Sequence, residues 1–433
     1  MKNKQLMELI RNKEARVGVI GLGQAGLPCA MLLANQGYKV TGFDIDRAKV
    51  DMLSKGKSYL DDVTNDELAK LIKTKRFQAK DSMATLGSTD VKLISVPTLL
   101  TNQEEPDLSA VEAVSKKIVK YLSKPSLILV ESTVYPGATE AIVKKQLDDN
   151  GFKLGKDYFL AYSPSRIDPG NKEWRLRKVP KLVGGFTDDC LDLATALYKD
   201  VVAEVIQASS IKIAETTKLF ENSFRAVNIA FVDRFRAVCQ AMDMNIWEII
   251  ELAKTKPYGF TPFYPGPGVG GDCIPIDPLY VAWKAREHGM RANFIELAQK
   301  IIDTMPRQVV GRLYDLLNEN RKSINNSKIL LIGAAFKKDN SSTKNSPIEP
   351  IIDLLSQRKA KISFHDPYVN NLNVNGFEMK STALNARTLK NQDAVLVITD
   401  HSNIDYGLIA KESKLVYDTR NALAKFSSPH IHT

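Results

Sequence analysis

Cys273 stands in the run Gly268-Val269-Gly270-Gly271-Asp272-Cys273-Ile274-Pro275-Ile276-Asp277. Glycines around a cysteine let a substrate approach closely, and a thiol within reach of substrate can add to an electrophilic carbon. Cys29 and Cys239 fall in helical patterns and Cys190 opens one, where packing is the expected role. Asp277, followed by Pro278 and a helical run, reads equally as a helix N-cap and as an acid–base group, and the two roles are compatible. Lys218 and Asn222 lie one turn apart and share a helix face, a pattern most often met as a solvated polar stripe.

A second constellation lies near the N-terminus. Gly21-Leu22-Gly23-Gln24-Ala25-Gly26 follows a strand pattern and opens a helix pattern. In such a turn the first glycine makes the bend, the second admits a pyrophosphate and the third lets helix pack on strand. The phosphates then face the helix N-terminus, where N–H groups and the dipole favour anions. Asp44 ends the next strand, placed to accept hydrogen bonds from a ribose diol. An acidic residue there favours NAD over NADP, although Arg47 and Lys49 lie close by. Glu131-Ser132-Thr133-Val134-Tyr135-Pro136-Gly137 follows a later strand, at the carboxyl edge where open α/β sheets bind ligands.

These residues need a scaffold. Strands are expected at 16–20, 39–44, 91–96, 127–131, 159–162 and 181–184, with helical intervals, which describes a parallel sheet covered by helices. One long amphipathic helix spans 209–242, suited to bridging domains or forming a subunit interface. A Pro- and Gly-dense stretch, 256–278, is a loop of functional length. Helical patterning resumes over 279–318, and strands at 328–332, 361–364, 394–398 and 415–417 imply a smaller second α/β domain. The length of 433 residues allows about two to three domains. With 44% hydrophobic and 25% charged residues, the composition excludes disorder and disulfide scaffolds. No apolar run approaches the roughly 18 residues of a membrane helix. Residues 1–17 lack the apolar core of a secretion signal, and four scattered cysteines fit a reducing compartment, so a cytoplasmic location is expected. The net charge of +10 points to anionic partners. No nucleic-acid module is present, and the five histidines form no metal-ligand cluster. His430 and His432 are expected in a loose C-terminus.

Taken in order, these blocks resemble the UDP-glucose/GDP-mannose dehydrogenase family over nearly the whole chain. The likeness rests on Gly21–Gly26, Val96-Pro97-Thr98, Glu131–Gly137, Tyr162-Ser163-Pro164, Lys218 with Asn222, and Gly270–Asp277. Further blocks are Gly333-Ala334-Ala335-Phe336-Lys337, Asp366-Pro367-Tyr368 and Asp418-Thr419-Arg420-Asn421. Residues 220–229 and 256–280, with Pro262-Phe263-Tyr264-Pro265-Gly266-Pro267-Gly268, look most like the bacterial UDP-N-acetylhexosamine 6-dehydrogenases. The resemblance implies a Rossmann-like NAD domain over 1–207, a central helical and dimerisation domain over 208–318, and a UDP-sugar-binding α/β domain over 319–433. It also implies a homodimer and a place in polysaccharide biosynthesis.

The implied reaction is a four-electron oxidation of a sugar C6 alcohol to a carboxylate by two NAD. Cys273 would carry a thiohemiacetal and then a thioester, Lys218 and Asn222 would stabilise the oxyanion, and Asp277 with Thr133 would hold the catalytic water. By the same resemblance Leu22, Gln24, Ala25, Lys49, Val96, Pro97, Thr98, Thr133 and Lys344 join the glycines and Asp44 around the cofactor. Ser165, Arg166, Lys218, Asn222, Tyr264, Gly270, Phe336, Lys337 and Arg420 would meet the UDP-sugar.

Four departures from the family pattern stand out. Ser165 replaces the glutamate after Tyr-Ser-Pro, a general base for thioester hydrolysis, and nearby Asp168 is a candidate substitute. Asp272 replaces a histidine beside Cys273, and a carboxylate there should raise the thiol pKa. Asp233-Arg234 replaces an Asn-Glu pair. In the stretch Asn340-Ser341-Ser342-Thr343-Lys344, Lys344 stands for an arginine, keeping charge but losing the bidentate fork. These changes frame two alternatives to the full dehydrogenase: a single or transient, epimerase-like oxidation of a UDP-sugar, and a non-catalytic nucleotide-sugar or NAD binding protein.

Overall fold

A computed structural model describes residues 2–171 and 173–433. The chain forms two compact units, Met1–Glu221 with Trp283–Met290, and Asn222–Ala282 with Arg291–Thr433.

The first unit is built on an eight-stranded sheet. In chain order its strands are β1 (Arg16–Ile20), β2 (Lys39–Phe43), β3 (Phe77–Lys80), β4 (Val91–Ile94), β5 (Ser126–Val130), β6 (Tyr158–Tyr162), β7 (Lys181–Gly185) and β8 (Val205–Ala208). Their order across the sheet is β8-β7-β6-β5-β4-β1-β2-β3. The middle strands are near-continuous apolar runs buried on both faces, as expected where helices cover both sides. The sheet is not wholly parallel as expected: β6 and β7 pair antiparallel, so β7 and β8 run against the rest. Among the described residues of the segment joining β6 to β7 there is no helix to carry a parallel crossover. The edge strands β3 and β8 escape the sequence pattern because both are short and half exposed. β1 lies between β2 and β4, so the turn after it falls where the strand order reverses, with helix α1 (Gly26–Asn35) following. Helix α2 (Asp188–Lys199) packs its apolar side into the same core.

The chain passes from the first unit to the second inside the long helix α3 (Ile211–Ala241), after Glu221. Helix α4 (Ile246–Lys254) follows, then the Pro/Gly loop, then α5 (Asp277–Glu287) and α6 (Asn293–Glu319). The helical run expected over 279–318 is thus two helices, interrupted where Gly289 takes φ +70°. α6 continues through Pro306, which is buried within it. The second sheet is fully parallel, with β9 (Lys328–Ile332), β10 (Lys361–His365), β11 (Ala394–Val397), β12 (Val416–Asp418) and β13 (Ile431–His432) in the order β10-β9-β11-β12-β13. Helix α7 (Ile348–Gln357) buries Ile348, Ile351, Ile352 and Leu355 against it. The C-terminus is not loose. Residues 431–432 pair with β12, and the His430 Nε2 lies 2.9 Å from the Ala410 carbonyl.

Candidate active site

In the first unit the glycine turn has the form a dinucleotide needs. Gly21 takes φ +91°, and a Cβ there would strike the Ser95 carbonyl. A Cβ on Gly26 would strike the Gly21 carbonyl, so strand and helix meet through these two glycines. The α-carbon of Gly23, in contrast, faces open space, leaving room for a ligand to approach the backbone. α1 opens after Ala25 without a side-chain cap, and Gln24 and Ala25 are half-buried beside it. Leu22 is buried in the core and contributes its amide, which donates to Asp44 Oδ2 at 2.9 Å. The Asp46 amide donates to Asp44 Oδ1 at 2.9 Å. Each carboxylate oxygen keeps a further lone pair for a diol. Lys49 sits beside this group, 3.9 Å from Asp46 and 5.7 Å from the Tyr59 ring centre. The Tyr59 hydroxyl donates to the Leu22 carbonyl at 2.5 Å, bracing the turn from a position the sequence did not flag.

Val96, Pro97 and Thr98 leave the end of β4, and the Ser132 hydroxyl donates to the Val96 carbonyl at 2.8 Å, joining that segment to the one carrying Thr133. Thr133 is half-buried. Two buried carboxylates hold its loop. Glu131 pairs with Lys181 and accepts from the Tyr198 hydroxyl at 2.5 Å. Glu215, on α3, accepts from the amides of Gly137 (2.5 Å) and Thr139 (2.9 Å). Burial raises the pKa of Glu215, and these hydrogen bonds partly offset it. A charged residue in a helical pattern or at the start of a strand looks like any solvated one, so neither Glu215 nor Lys181 could be picked from sequence. Ser165 is half-buried, and Arg166 makes a fork to Glu221 (3.3 and 2.5 Å) and donates to the Pro180 carbonyl at 2.9 Å. Asp168 accepts from Asn171 at 2.9 Å.

Lys218 and Asn222 are not a solvated stripe. They are 7% and 5% exposed, while Phe220 and Phe231 on the same helix are 69% and 63% exposed. An ammonium and an amide turned inward and phenyl rings turned outward invert the usual amphipathic helix.

In the second unit, Asn222 Nδ2 donates to Asp277 Oδ2 at 2.5 Å, and both residues are buried. Asp277 is itself the first residue of α5, one position later than the cap reading places it, and its amide donates to the Cys273 carbonyl at 2.8 Å. Cys273 is partly exposed, whereas Cys29, Cys190 and Cys239 are buried. The glycines before Cys273 serve the protein itself. Cβ atoms on Gly270 and Gly271 would lie 2.7 and 2.9 Å from Phe336, so their absence lets this loop close onto the turn after β9. That turn, Gly333 to Lys337, is fixed by Asp366, whose Oδ2 accepts from the amides of Ala334 (2.6 Å) and Ala335 (3.0 Å) and from His401 (2.9 Å). Burial raises the Asp366 pKa, but these hydrogen bonds outweigh it and leave the carboxyl below its usual value. Lys337 is half-buried beside Phe336. Arg420 donates to the Ile398 carbonyl at 2.8 Å, and burial lowers its pKa. Gly266 makes room for it, since a Cβ there would lie 2.6 Å from the guanidinium. Tyr264 stacks on Trp247 (6.1 Å, 15°) and donates to Glu251 at 2.8 Å. Lys344 forms an ion pair with Asp272. This unit therefore brings Asn222, Asp277 and the Cys273 loop together, with Gly270 against Phe336 and Gly266 against Arg420.

Comparison with known proteins gives three matches in sequence order. Residues 15–202 match the NAD binding domain of the UDP-glucose/GDP-mannose dehydrogenase family, 212–303 its central domain and 330–425 its UDP binding domain. A UDP-N-acetyl-D-glucosamine 6-dehydrogenase of Pseudomonas aeruginosa is 32% identical, over 83% of this chain and 84% of that protein. A UDP-N-acetyl-D-mannosamine dehydrogenase of Methanococcus aeolicus is 33% identical, over 96% and 94%. Among solved structures, the UDP-D-ManNAc dehydrogenase of Pyrococcus horikoshii superposes with a TM-score of 0.86 at 28% identity, covering 94% of this chain and 96% of that one.

Proposed function

This chain belongs to the UDP-glucose/GDP-mannose dehydrogenase family, and we infer from that membership that it oxidises the C6 alcohol of a UDP-N-acetylhexosamine to a carboxylate. The observation that carries the reading is the buried Asn222–Asp277 hydrogen bond beside the loop of the one partly exposed thiol, Cys273. Gly21 to Gly26 and Asp44 would hold NAD, which would supply a hydride acceptor for each oxidation, two NAD being bound in succession. The Cys273 thiolate adds to the C6 aldehyde carbon and keeps it bound as a thiohemiacetal, then as a thioester that water cleaves to carboxylate and free thiol. The Lys218 ammonium and the Asn222 amide are the donors for the oxygen that gains charge at each stage. Asp277 accepts the proton, and Thr133 helps to hold the water. Phe336, Lys337 and Arg420 take the UDP half, with Tyr264 and Gly270 lining the same unit.

The protein works in the cytoplasm as a homodimer built on α3. Phe220 and Phe231, and Phe224 and Phe235, recur at eleven-residue intervals along its exposed face. That spacing keeps the rings in one seam, because eleven residues make about three turns. A second copy of the same helix is the natural cover for such a seam.

The test is stoichiometric. Purified protein with NAD and UDP-N-acetylhexosamines should form two NADH per sugar and release the uronate, and Cys273→Ser should abolish uronate release. One NADH per sugar, or sugar altered without net NADH, would overturn the reading.

A further inference from the structure

We propose that Asp272 and Lys344 act as one charge pair that positions the Cys273 loop and keeps its thiol reactive, so that two of the departures from the family pattern form a single linked change. This rests on Cys273 being the nucleophile. Lys344 and Asp272 are far apart in sequence, yet their side chains form an ion pair. The backbone dictates the pairing. The Gly271 amide donates to the Lys344 carbonyl at 2.9 Å, and Asn345 Nδ2 donates to the Gly271 carbonyl at 2.9 Å. Phe336 packs on the α-carbons of Gly270 and Gly271. Residues 271 and 344 therefore face each other, and the side chains of 272 and 344 start as neighbours.

The chemistry follows from position. A lone carboxylate next to Cys273 would favour the neutral thiol over the thiolate, and an adjacent ammonium cancels most of that field. Asp277, four residues after Cys273, is a further charged group beside the loop, and its carboxylate accepts from the Asn222 amide. Both paired side chains are nearly half exposed, 46% and 43%, so the pair adds little to stability. Its effect is read in the reactivity of the thiol.

The experiment follows iodoacetamide alkylation of Cys273 in the full chain as a function of pH, with the modified residue located by mass spectrometry. The other three thiols are buried. Lys344→Met should slow alkylation at neutral pH about threefold and move the profile to higher pH, a fraction of the tenfold that one pKa unit represents. Lys344→Arg should keep the original profile. Adding Asp272→Asn to Lys344→Met should restore the rate, because the carboxylate that Lys344 offset is then gone. A Lys344→Met profile equal to that of the unaltered protein would overturn the proposal, as would a slowed thiol that Asp272→Asn fails to rescue. The nucleophile reading fails separately: it falls if Cys273→Ser still releases uronate, whatever the alkylation rates.

Discussion

At the scale of single residues, the unusual feature is chemistry moved away from its expected position. Ser165 carries no base, while of the nearby carboxylates Glu221 is paired with Arg166 and Asp168 accepts from Asn171. Asp277 is a buried carboxylate adjoining the Cys273 loop, and it accepts from the neutral Asn222 amide. On the proposed mechanism Asp277 accepts the proton without a glutamate at position 165 to assist, and thioester hydrolysis should be the slow step. Ser165→Glu is expected to raise uronate release by about tenfold or more, since a positioned base contributes on the order of 10² to 10⁴. Rapid-quench measurement of acyl-enzyme decay checks this, and an unchanged decay rate would count against it.

At the scale of elements, β4 carries a lysine where an apolar residue would serve the sheet. Lys92 is fully buried, donating to the Thr89 carbonyl at 2.9 Å and to the Ser126 hydroxyl at 2.8 Å. Burial pushes its pKa down to about 7, the nearby cations Lys124 and Arg16 push the same way, and Asp90 opposes them. Below pH 7 folded and unfolded chains both hold the proton, and the cost of burying the charge is felt in full. Between about 7 and the ordinary lysine value near 10.4, the folded state releases a proton that the unfolded state keeps, so stability rises with pH. The gain is of the order of a few kcal/mol. Lys92→Met should flatten this rise, which thermal melts from pH 6.5 to 9.5 would detect. An unaltered slope would show that Lys92 is not its source.

At the scale of the whole molecule, α3 presents two different faces. Inward it carries Lys218 and Asn222, and outward it shows Phe220, Phe224, Phe231 and Phe235. Each ring fully buried is worth roughly 1.5 to 3 kcal/mol, so the seam can supply the apolar part of a dimer interface. Phe220→Asp with Phe231→Asp should halve the mass seen by light scattering at micromolar concentration. An unchanged mass would place the dimer contact elsewhere or show that none exists.

The sequence by itself determined the local features, because they depend on neighbours in the chain. The glycine turn, its acidic strand end at Asp44, the long helix and the loop around Cys273 are all spelled by short-range pattern, and the structure forms them where the pattern places them. Pairings between distant residues were decided only in three dimensions. Lys218 and Asn222 read as a solvated stripe until packing turned them inward. Gly270 and Gly271 read as space for substrate, but they accommodate Phe336. Asp272 and Lys344 read as two separate substitutions, and the structure joins them. The reversal of β7 and β8 and the support from Glu215 and Lys181 were likewise invisible. The reason is physical: periodicity reports which face of an element is apolar, whereas the partner of a buried charge is set by the element that arrives to cover it.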